Sequence, residues 1–377
     1  MDKRRKKMTS NSYQRLDILQ DNLKSQGISR LVISDPYAIS YYYNIEFDPN
    51  ERIWLMIAQA DQEPVLIANE LFVFEEPDKG QVIWIKDGDS IVEAFEKTKV
   101  FEGLTEGAKV GVDKHLIAGW LLPLMEAYPH FNWLLTSDIV DQQRAIKTEA
   151  EMTAMREVSA ITDRAMKRVI EEVIPYGYSE IEACERLKKI FVEEGANQGL
   201  SFAPIIAYGP NGADPHHVPD HSKPELGDSV VIDIGCRHNY YCSDMTRTVY
   251  YGQPTKEALE IHQIVEEAQA RGIKAAQVGQ ALSEVDLAGR NHIDQAGYGP
   301  YFTHRIGHFI GRECHEKGDV SQVNQTPIQA GNIFSVEPGI YLTGNTAVRI
   351  EDLVIAHEEG PEVINHYPRE AQIVEPK

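Results

Sequence analysis

The chain of 377 residues carries 58 acidic and 37 basic side chains, which give it a formal charge of −21 at pH 7. Such an acidic surface repels nucleic-acid phosphates and anionic lipid headgroups, so neither is an expected partner. No apolar run reaches the ~20 residues that span a bilayer. The length suits two domains with a large core.

The N terminus and the cysteines indicate the cellular setting. Positive charge is concentrated in residues 3–7, and no apolar segment follows it as in a secretory signal. We expect residues 1–12 to form a disordered basic tail, with a polybasic address as the alternative and Met8 as an alternative natural start. The four cysteines include no C-x-x-C pair, which predicts a reduced, cytoplasmic protein.

The first 140 residues predict a small α/β domain, and they contain all four tryptophans. A helix is predicted over residues 13–26, ending at Gly27. Short apolar runs predict strands over residues 31–34, 53–58, 64–68 and 82–86.

Near residue 140 the spacing of apolar residues changes from short runs to a helical pattern. Thr148 to Glu151 form a capping-box sequence, and apolar residues then recur at helical spacing as far as Val173. Met152 and Met155 on this face are expected to fill the core. We therefore predict a boundary within residues 139–147, between a domain of residues 1–140 and one of residues 141–377.

Strands and helices alternate in the remainder, so the predicted fold class is α/β (α+β). A loop rich in proline and glycine precedes a hairpin, two helices follow, and the chain then returns to strands. The loop covers residues 207–228, the helices residues 255–271 and 279–296 with Gly272 and Gly297 at their ends, and the strands residues 332–341 and 347–356.

The first predicted hairpin places two carboxylates face to face. Directly opposed residues of an antiparallel hairpin share one face of the sheet, with Cβ atoms ~4.5–5.5 Å apart. Pairing Asp233 with Asp244 centres the turn between His238 and Asn239.

A second hairpin repeats the arrangement. Pairing Glu337 with Glu351 centres its turn on Gly344, and Gly344 and Asn345 suit the positive φ of such turns. Opposed like charges destabilise a sheet, so the acidic pairs either face water or hold a cation. Apolar neighbours of Asp233 and Glu337 favour the cation, because a buried unpaired carboxylate is very costly.

The run between these hairpins supplies histidines. His304, His308 and His315 lie among glycines that let the backbone approach closely. Such a cluster alone is also compatible with a structural role. Beside the acidic hairpins, it supplies the imidazole of a mixed site for Mn, Co, Fe or Zn.

These motifs resemble those of the Xaa-Pro dipeptidase (prolidase) and aminopeptidase P family of dinuclear metallopeptidases over nearly the whole chain. The resemblance implies a creatinase-like N-terminal domain, a pita-bread catalytic domain and a homodimer. It is carried by Asp233 and by SDMTRT at 243–248, the run 304–316, SVEPG at 335–339 and RIED at 349–352.

The resemblance also implies the metal centre. Two divalent ions are expected, manganese first with cobalt, zinc or iron as alternatives, held by Asp233, Asp244, His308, Glu337 and Glu351. Asp244 and Glu351 bridge the ions in the family, and a shared solvent oxygen attacks the scissile carbonyl. Glu337 matches the residue that passes a proton to the leaving nitrogen.

Several residues match family positions around that centre. His216 and His315 match histidines that contact substrate and stabilise the tetrahedral intermediate, with loop packing as their alternative role. His304 and Arg349 match positions near the metals, and Arg349 shares a strand face with Glu351. His217 is expected to be incidental.

Arg305 matches a His-Arg pair of the dipeptidases. Its guanidinium is suited to bind the terminal carboxylate of a dipeptide, and the alternative is a surface residue without a role. The predicted activity is therefore hydrolysis of Xaa-Pro dipeptides by a cytoplasmic enzyme. Aminopeptidase P activity on longer peptides, another amidohydrolase activity on small molecules and a non-catalytic scaffold remain alternatives.

Two further groups of residues follow from the comparison with family patterns. An exposed loop of the N-terminal domain offers candidate substrate contacts, and three residues near the histidines depart from the family pattern and are expected to alter the wall beside the metals. The first group is Asp48, Glu51 and Arg52, and the second is Phe309, Arg312 and Cys314.

Overall fold

The computed structural model describes residues 8–377, so the basic cluster at residues 3–7 lies outside the described part of the chain. The chain divides into two compact units, and the boundary along the sequence lies between Arg144 and Ala145. Within residues 8–377, no helix is both long and apolar enough to cross a membrane.

The first unit is built on a six-stranded mixed sheet with the order β4-β3-β2-β1-β5-β6. Its strands are β1 (Arg30–Ile33), β2 (Trp54–Gln59), β3 (Val65–Asn69), β4 (Gln81–Ile85), β5 (Lys109–Val112) and β6 (Asn132–Leu135). Its helices are α1 (Ser10–Gln26), α2 (Pro36–Tyr43), α3 (Ile91–Thr98), α4 (Ala118–Ala127) and α5 (Asp138–Ala145).

Apolar runs in this sheet are continuous because both faces are covered. Trp54 and Met56 of β2 join one hydrophobic core, whereas Leu55 and Ile57 join another. Alternate residues of a strand point to opposite faces, so each core lies on one side of the sheet. The four strands predicted in this part of the sequence are all confirmed.

The N-terminal helix begins earlier than predicted. Thr9 caps α1 by accepting a hydrogen bond from the amide of Ser12, so the helix starts at Ser10 rather than at residue 13. Met8 is buried as well. The expected disordered tail is therefore wrong for residues 8–12, while the predicted helix end at Gly27, which has φ +64°, is confirmed.

The second unit contains helices and two main sheets, in which all neighbouring strands are antiparallel except the parallel pair β11 and β19. Its helices are α6 (Glu149–Arg168), α7 (Glu180–Glu194), α8 (Lys256–Ala275) and α9 (Leu282–Gln295). One sheet has the order β19-β11-β8-β7, with β7 (Ile205–Tyr208), β8 (Ser229–Ile234), β11 (Met245–Tyr251) and β19 (Ile373–Val374); β9 (Arg237–His238) pairs with β10 (Tyr241–Cys242).

The other sheet has the order β13-β12-β14-β17-β18. Its strands are β12 (Gly307–Phe309), β13 (Glu316–Val320), β14 (Ile333–Val336), β17 (Asp352–His357) and β18 (Gly360–Val363). Between β14 and β17 the chain forms a separate hairpin of β15 (Gly339–Leu342) and β16 (Thr346–Arg349).

The predicted start of the long helix is confirmed. Thr148 and Glu151 form the reciprocal capping box of α6, and Met155 on its apolar face is fully buried. After Arg168 the helical path continues as a π-turn over Val169–Val173 and a 3₁₀ turn over Ile174–Tyr176.

Gly272 does not end a helix, which corrects the prediction. Helix α8 runs through it to Ala275. A Cβ at position 272 would lie 2.9 Å from Cγ1 of Val336 and 3.3 Å from Cδ1 of Ile306, so glycine is needed there for close packing rather than for a cap. Gly297, with φ +89°, does follow the end of α9.

Candidate metal centre

The strands of the first acidic hairpin pair in a register that is shifted by two residues from the predicted one. Asp233 of β8 lies opposite Thr246 of β11, and the turn is formed by Asn239 and Tyr240, both at positive φ. Direct opposition of Asp233 and Asp244 is therefore wrong. A shift of two residues preserves the face of the sheet, so Asp244 remains a diagonal neighbour of Asp233.

The second hairpin has the predicted register. Leu342 lies opposite Thr346 around Gly344, which has φ +74°, and the same register continues in the ladder of β14 and β17. Asn345, in contrast, is not among the residues with positive φ. Glu337 and Glu351 occupy the opposed positions between the two ladders, where neither is part of a strand.

His308 is directed towards these carboxylates by close strand packing. A Cβ at Gly307 would collide with the carbonyl oxygen of Ser335, so only glycine lets β12 lie so near β14. The backbone amide of His308 donates to the Ser335 hydroxyl, 3.0 Å away, and the Nδ1–H group donates to the Phe309 carbonyl at 3.1 Å. Nε2 is left 3.6 Å from both Asp244 Oδ2 and Glu337 Oε1.

Arg349 connects the two hairpins. Its Nη2 donates to Asp233 Oδ2 at 2.8 Å, and its Nε donates to the Thr246 hydroxyl at 3.2 Å. That hydroxyl donates to Glu351 Oε2 at 2.7 Å. A single guanidinium, itself only 3% exposed, thus orients a carboxylate from each hairpin, although its own ion pair is with Asp233.

The cluster has a deficit of positive charge. Burial, reinforced by the charge of Asp244, raises the pKa of Asp233 to about 6, that of Glu337 to about 7 and that of Glu351 well above its usual range. Four carboxyl groups with one guanidinium cannot all ionise here unless further cations are bound.

Carboxylate oxygens without hydrogen-bond partners also indicate that cations bind here. Asp233 Oδ1, Asp244 Oδ1 and Glu351 Oε1 are buried without a hydrogen-bond partner in the described residues. One donor atom each from Asp244, His308 and Glu351 lie within 4.8 Å of one another. Carboxylate oxygens and imidazole nitrogen suit Mn, Co, Fe or Zn, so these residues fit divalent metal ions.

Three predicted substrate residues lie at the edge of this cluster. The ring of His315 packs against that of His308, with centroids 4.1 Å apart. Partial burial of the ring, together with the nearby charges of His308 and Arg305, lowers the pKa of His315 to about 4. Arg305, His216 and His315 are exposed at the residue level, so all three are accessible from solvent.

His304 lies behind this edge and is held neutral. Its Nδ1–H donates to the Arg305 carbonyl at 2.6 Å, and its Nε2 accepts from the Tyr341 hydroxyl at 2.7 Å. Burial lowers the pKa of His304 to about 4, and the nearby guanidinium of Arg349 adds to the shift. The Tyr341 hydroxyl in turn accepts from Arg349 Nη1 at 3.2 Å.

His217 has a structural function that the sequence analysis did not assign. Its Nε2 is 2.6 Å from Oε2 of Glu180, a fully buried residue of α7. Glu180 also accepts hydrogen bonds from the Tyr208 and Asp220 amides and from the Asn211 side chain. The loop that carries His216 is therefore anchored to α7 through one carboxylate.

Thr246 and Tyr341 were also not predicted from the sequence, although the alternation of side chains along a strand indicates that both lie near the acidic residues. Thr246 is two residues from Asp244, and Tyr341 is four from Glu337, so a regular strand places each on the face of an acidic residue. Glu180 has no comparable signal, because its loop partners lie 28–40 residues away in sequence.

Of the three residues that depart from the family pattern, Cys314 contacts the acidic cluster. Phe309 packs in the core with its ring centroid 5.7 Å from that of Phe334, so the expectation that it lines the site is wrong. The Arg312 guanidinium lies over the ring of Tyr240 at 4.9 Å. The Cys314 thiol lies 3.2 Å from Asp244 Oδ2.

The candidate contacts of the first unit form a local network. Arg52 donates to both oxygens of Asp87, at 3.1 and 3.2 Å, and pairs with Glu51 at 3.0 Å. Asp48 accepts a hydrogen bond from the amide of Asn50. A substrate role for Asp48, Glu51 and Arg52 stays a prediction.

A largely buried cluster of four carboxylates and one imidazole, carried by two antiparallel hairpins and a neighbouring strand, is typical of a metal-dependent hydrolase, here in a protein of the α/β class. Comparison with known proteins agrees. The model of metallopeptidase family M24 matches residues 153–358, and that of the creatinase/prolidase N-terminal domain matches residues 15–146. The chain therefore belongs to metallopeptidase family M24, with a creatinase-like N-terminal domain and a pita-bread catalytic domain.

Relatives match along almost their full length. An uncharacterized peptidase of Staphylococcus aureus (strain USA300) is 32% identical over 357 residues, which cover 93% of this chain and 98% of the relative. The prolidase from Thermococcus sibiricus superimposes with a TM-score of 0.88 at 30% identity, covering 97% of this chain and 100% of that one. The Xaa-Pro dipeptidase from Bacillus anthracis gives 0.87 at 31% identity, covering 96% and 100%.

Proposed function

We propose that this metallopeptidase hydrolyses Xaa-Pro dipeptides. The observation that carries the proposal is the cluster of Asp233, Asp244, His308, Glu337 and Glu351 with its unpartnered buried oxygens. These five residues would hold two divalent ions, manganese being expected and cobalt, zinc or iron the alternatives. When bound, the ions supply activation of a solvent oxygen and polarisation of the scissile carbonyl.

The surrounding side chains are suited to proton transfer and to stabilising the oxygen that becomes negative. Glu337, which lies in the cluster with one oxygen 3.6 Å from His308 Nε2, is suited to accept a proton from the attacking solvent and to deliver it to the leaving proline nitrogen. His315 and His216 are the candidates to donate hydrogen bonds to the oxygen that becomes negative. The similarity to named prolidases and dipeptidases supports this assignment.

Arg305 is the proposed specificity residue. It is exposed beside His315, and its guanidinium can donate two parallel hydrogen bonds to the oxygens of a terminal carboxylate. A dipeptide presents that carboxylate one residue after the scissile bond. A longer peptide presents an amide there instead, so Arg305 favours dipeptides.

The same proposal includes a cytoplasmic homodimer with a boundary near residue 140 between its two domains. Four buried cysteines, all free, are consistent with a reduced compartment. The matched segments, 15–146 and 153–358, support the division into an N-terminal and a catalytic domain.

A comparison of Met-Pro with the tripeptide Met-Pro-Gly tests the activity, using Mn²⁺-loaded and chelator-treated protein. We expect metal-dependent hydrolysis of the dipeptide and a much lower kcat/KM for the tripeptide. A folded, metal-loaded protein that leaves Met-Pro intact would contradict the dipeptidase assignment, and preference for the tripeptide would indicate an aminopeptidase.

Arg305→Ala extends this test to specificity. It should raise KM for Met-Pro with little change in kcat, because the lost contact is made equally in the ground and transition states. Arg271→Ala, at an exposed position of α8, is the matched control and should leave KM unchanged. Equal losses on dipeptide and tripeptide would remove the proposed role of Arg305.

A further inference from the structure

Cys314 occupies a position in the centre that the five proposed ligands do not account for. It lies between β12 and β13 and is 8% exposed. Its Sγ is 3.2 Å from Asp244 Oδ2. The donor atoms of Cys314, His308 and His315 also lie within 4.8 Å of one another, so the thiol faces two imidazoles as well as a carboxylate.

The surroundings of the other cysteines are different. Cys184 and Cys242 donate to the backbone carbonyls of Pro204 and Arg312, and Cys236 contacts the Ser243 hydroxyl. These hydrogen-bond partners are neutral, and the charged group that also lies against Cys242 is the guanidinium of Arg237, which does not bind metal ions. Of the four thiols, all of which are described, only Cys314 lies beside a carboxylate that has an unpartnered buried oxygen, Asp244 Oδ1.

We propose that Cys314 is a sixth donor residue of this centre, which coordinates borderline and soft divalent ions such as Co²⁺, Zn²⁺ and Cd²⁺ through its sulfur. The inference rests on the proposed metal centre and concerns which ions that centre selects. Thiolate ligands favour these ions, whereas Mn²⁺ prefers carboxylate and water oxygens. With Mn²⁺ bound, Cys314 remains a thiol that donates to Asp244.

The chemical step is a ligand exchange without electron transfer. The S–H bond breaks, the proton leaves to solvent, and a sulfur lone pair forms the bond to the ion. The hydrogen bond to Asp244 is lost in the same step, which leaves that carboxylate oxygen available to the ion.

Cobalt absorption tests the inference independently of catalysis. Chelator-treated full-length protein is titrated anaerobically with Co²⁺ in a thiol-free reductant, while bound cobalt is measured by elemental analysis. We expect a near-ultraviolet thiolate-to-cobalt charge-transfer band that saturates with stoichiometric cobalt. The band should be lost in Cys314→Ser and retained in Cys184→Ala, which removes a buried thiol of α7.

A second variant separates ligation from packing. Cys314→Val keeps an apolar side chain of similar size, so its circular dichroism should match that of the wild type while the band is still absent. Stoichiometric cobalt binding by the wild type without the band would overturn the role of Cys314 and leave the metal centre intact. Absence of bound cobalt would overturn the metal centre, and the role of Cys314 with it.

Discussion

At the scale of single residues, Arg349 holds the acidic cluster together. It is fully buried, pairs with Asp233 and is joined to Glu351 through the Thr246 hydroxyl. Removing one partner of a buried ion pair leaves an uncompensated charge, at a cost of about 3–5 kcal/mol. The stability of the second unit should therefore depend on this guanidinium more than on exposed arginines.

We predict that Arg349→Met lowers the free energy of unfolding of chelator-treated protein by about this amount at about pH 8, where Asp233 is ionised and no metal ion balances its charge. The measurement is the urea midpoint of the transition in which the second unit unfolds. Arg305→Met is the matched control, because Arg305 is exposed, and its free energy of unfolding should stay within ~0.5 kcal/mol of that of the wild type. An unchanged midpoint for Arg349→Met would show that Asp233 is compensated in another way.

At the scale of elements, the two hairpins show how far register can be predicted from sequence. In the second hairpin Gly344 marks the turn, and the predicted pairing of Glu337 with Glu351 agrees with both ladders. In the first, positive φ is adopted by Asn239 and Tyr240, and no glycine marks the turn. The predicted register was therefore wrong by two residues, although the face of the sheet was right.

Long-range packing explains what else the sequence did not predict. The helix-ending role assigned to Gly272 ignored its neighbours Val336 and Ile306, which are adjacent only in the folded chain. The anchor of the His216 loop on Glu180 likewise joins distant segments. Local capping signals, such as those of Thr148 and Gly27, were reliable because their hydrogen bonds close within a few residues.

The loop anchor gives a prediction at this scale. Glu180→Gln replaces one accepting oxygen by an NH₂ group that faces donors, so part of the network with Tyr208, His217 and Asp220 must break. We expect faster hydrogen exchange at the amides of Tyr208 and Asp220, together with a lower kcat/KM because His216 is less well oriented.

The control for this change lies on the same turn of α7. Glu182 completes the capping box with Ser179 and has no part in the loop network. Glu182→Gln should leave exchange at Tyr208 and Asp220 unchanged. Equal exchange in wild type and Glu180→Gln would mean that the loop is held by other contacts.

At the scale of the whole molecule, the centre couples stability to pH. The pKa of Asp233 is raised to about 6 and that of Glu337 to about 7, against ~3.9 and ~4.3 in unfolded chains. The folded metal-free chain therefore binds more protons than the unfolded chain between these values. This contribution to stability is complete below about pH 4 and is lost as the pH rises through 6 and 7.

Divalent ions reverse that dependence, because they bind carboxylates only after the protons have left. We predict that Mn²⁺ raises the Tm of chelator-treated protein much more at about pH 8 than at about pH 5.5. An ion at 100 times its Kd stabilises the folded state by about 2.7 kcal/mol, or ~5–10 °C for a unit of this size. Scanning calorimetry with Mn²⁺ or chelator at both pH values measures the difference, and Asp244→Ala should show little shift at either. A shift of equal size at both pH values would mean that the ions bind where no proton has to be displaced, away from these hairpins.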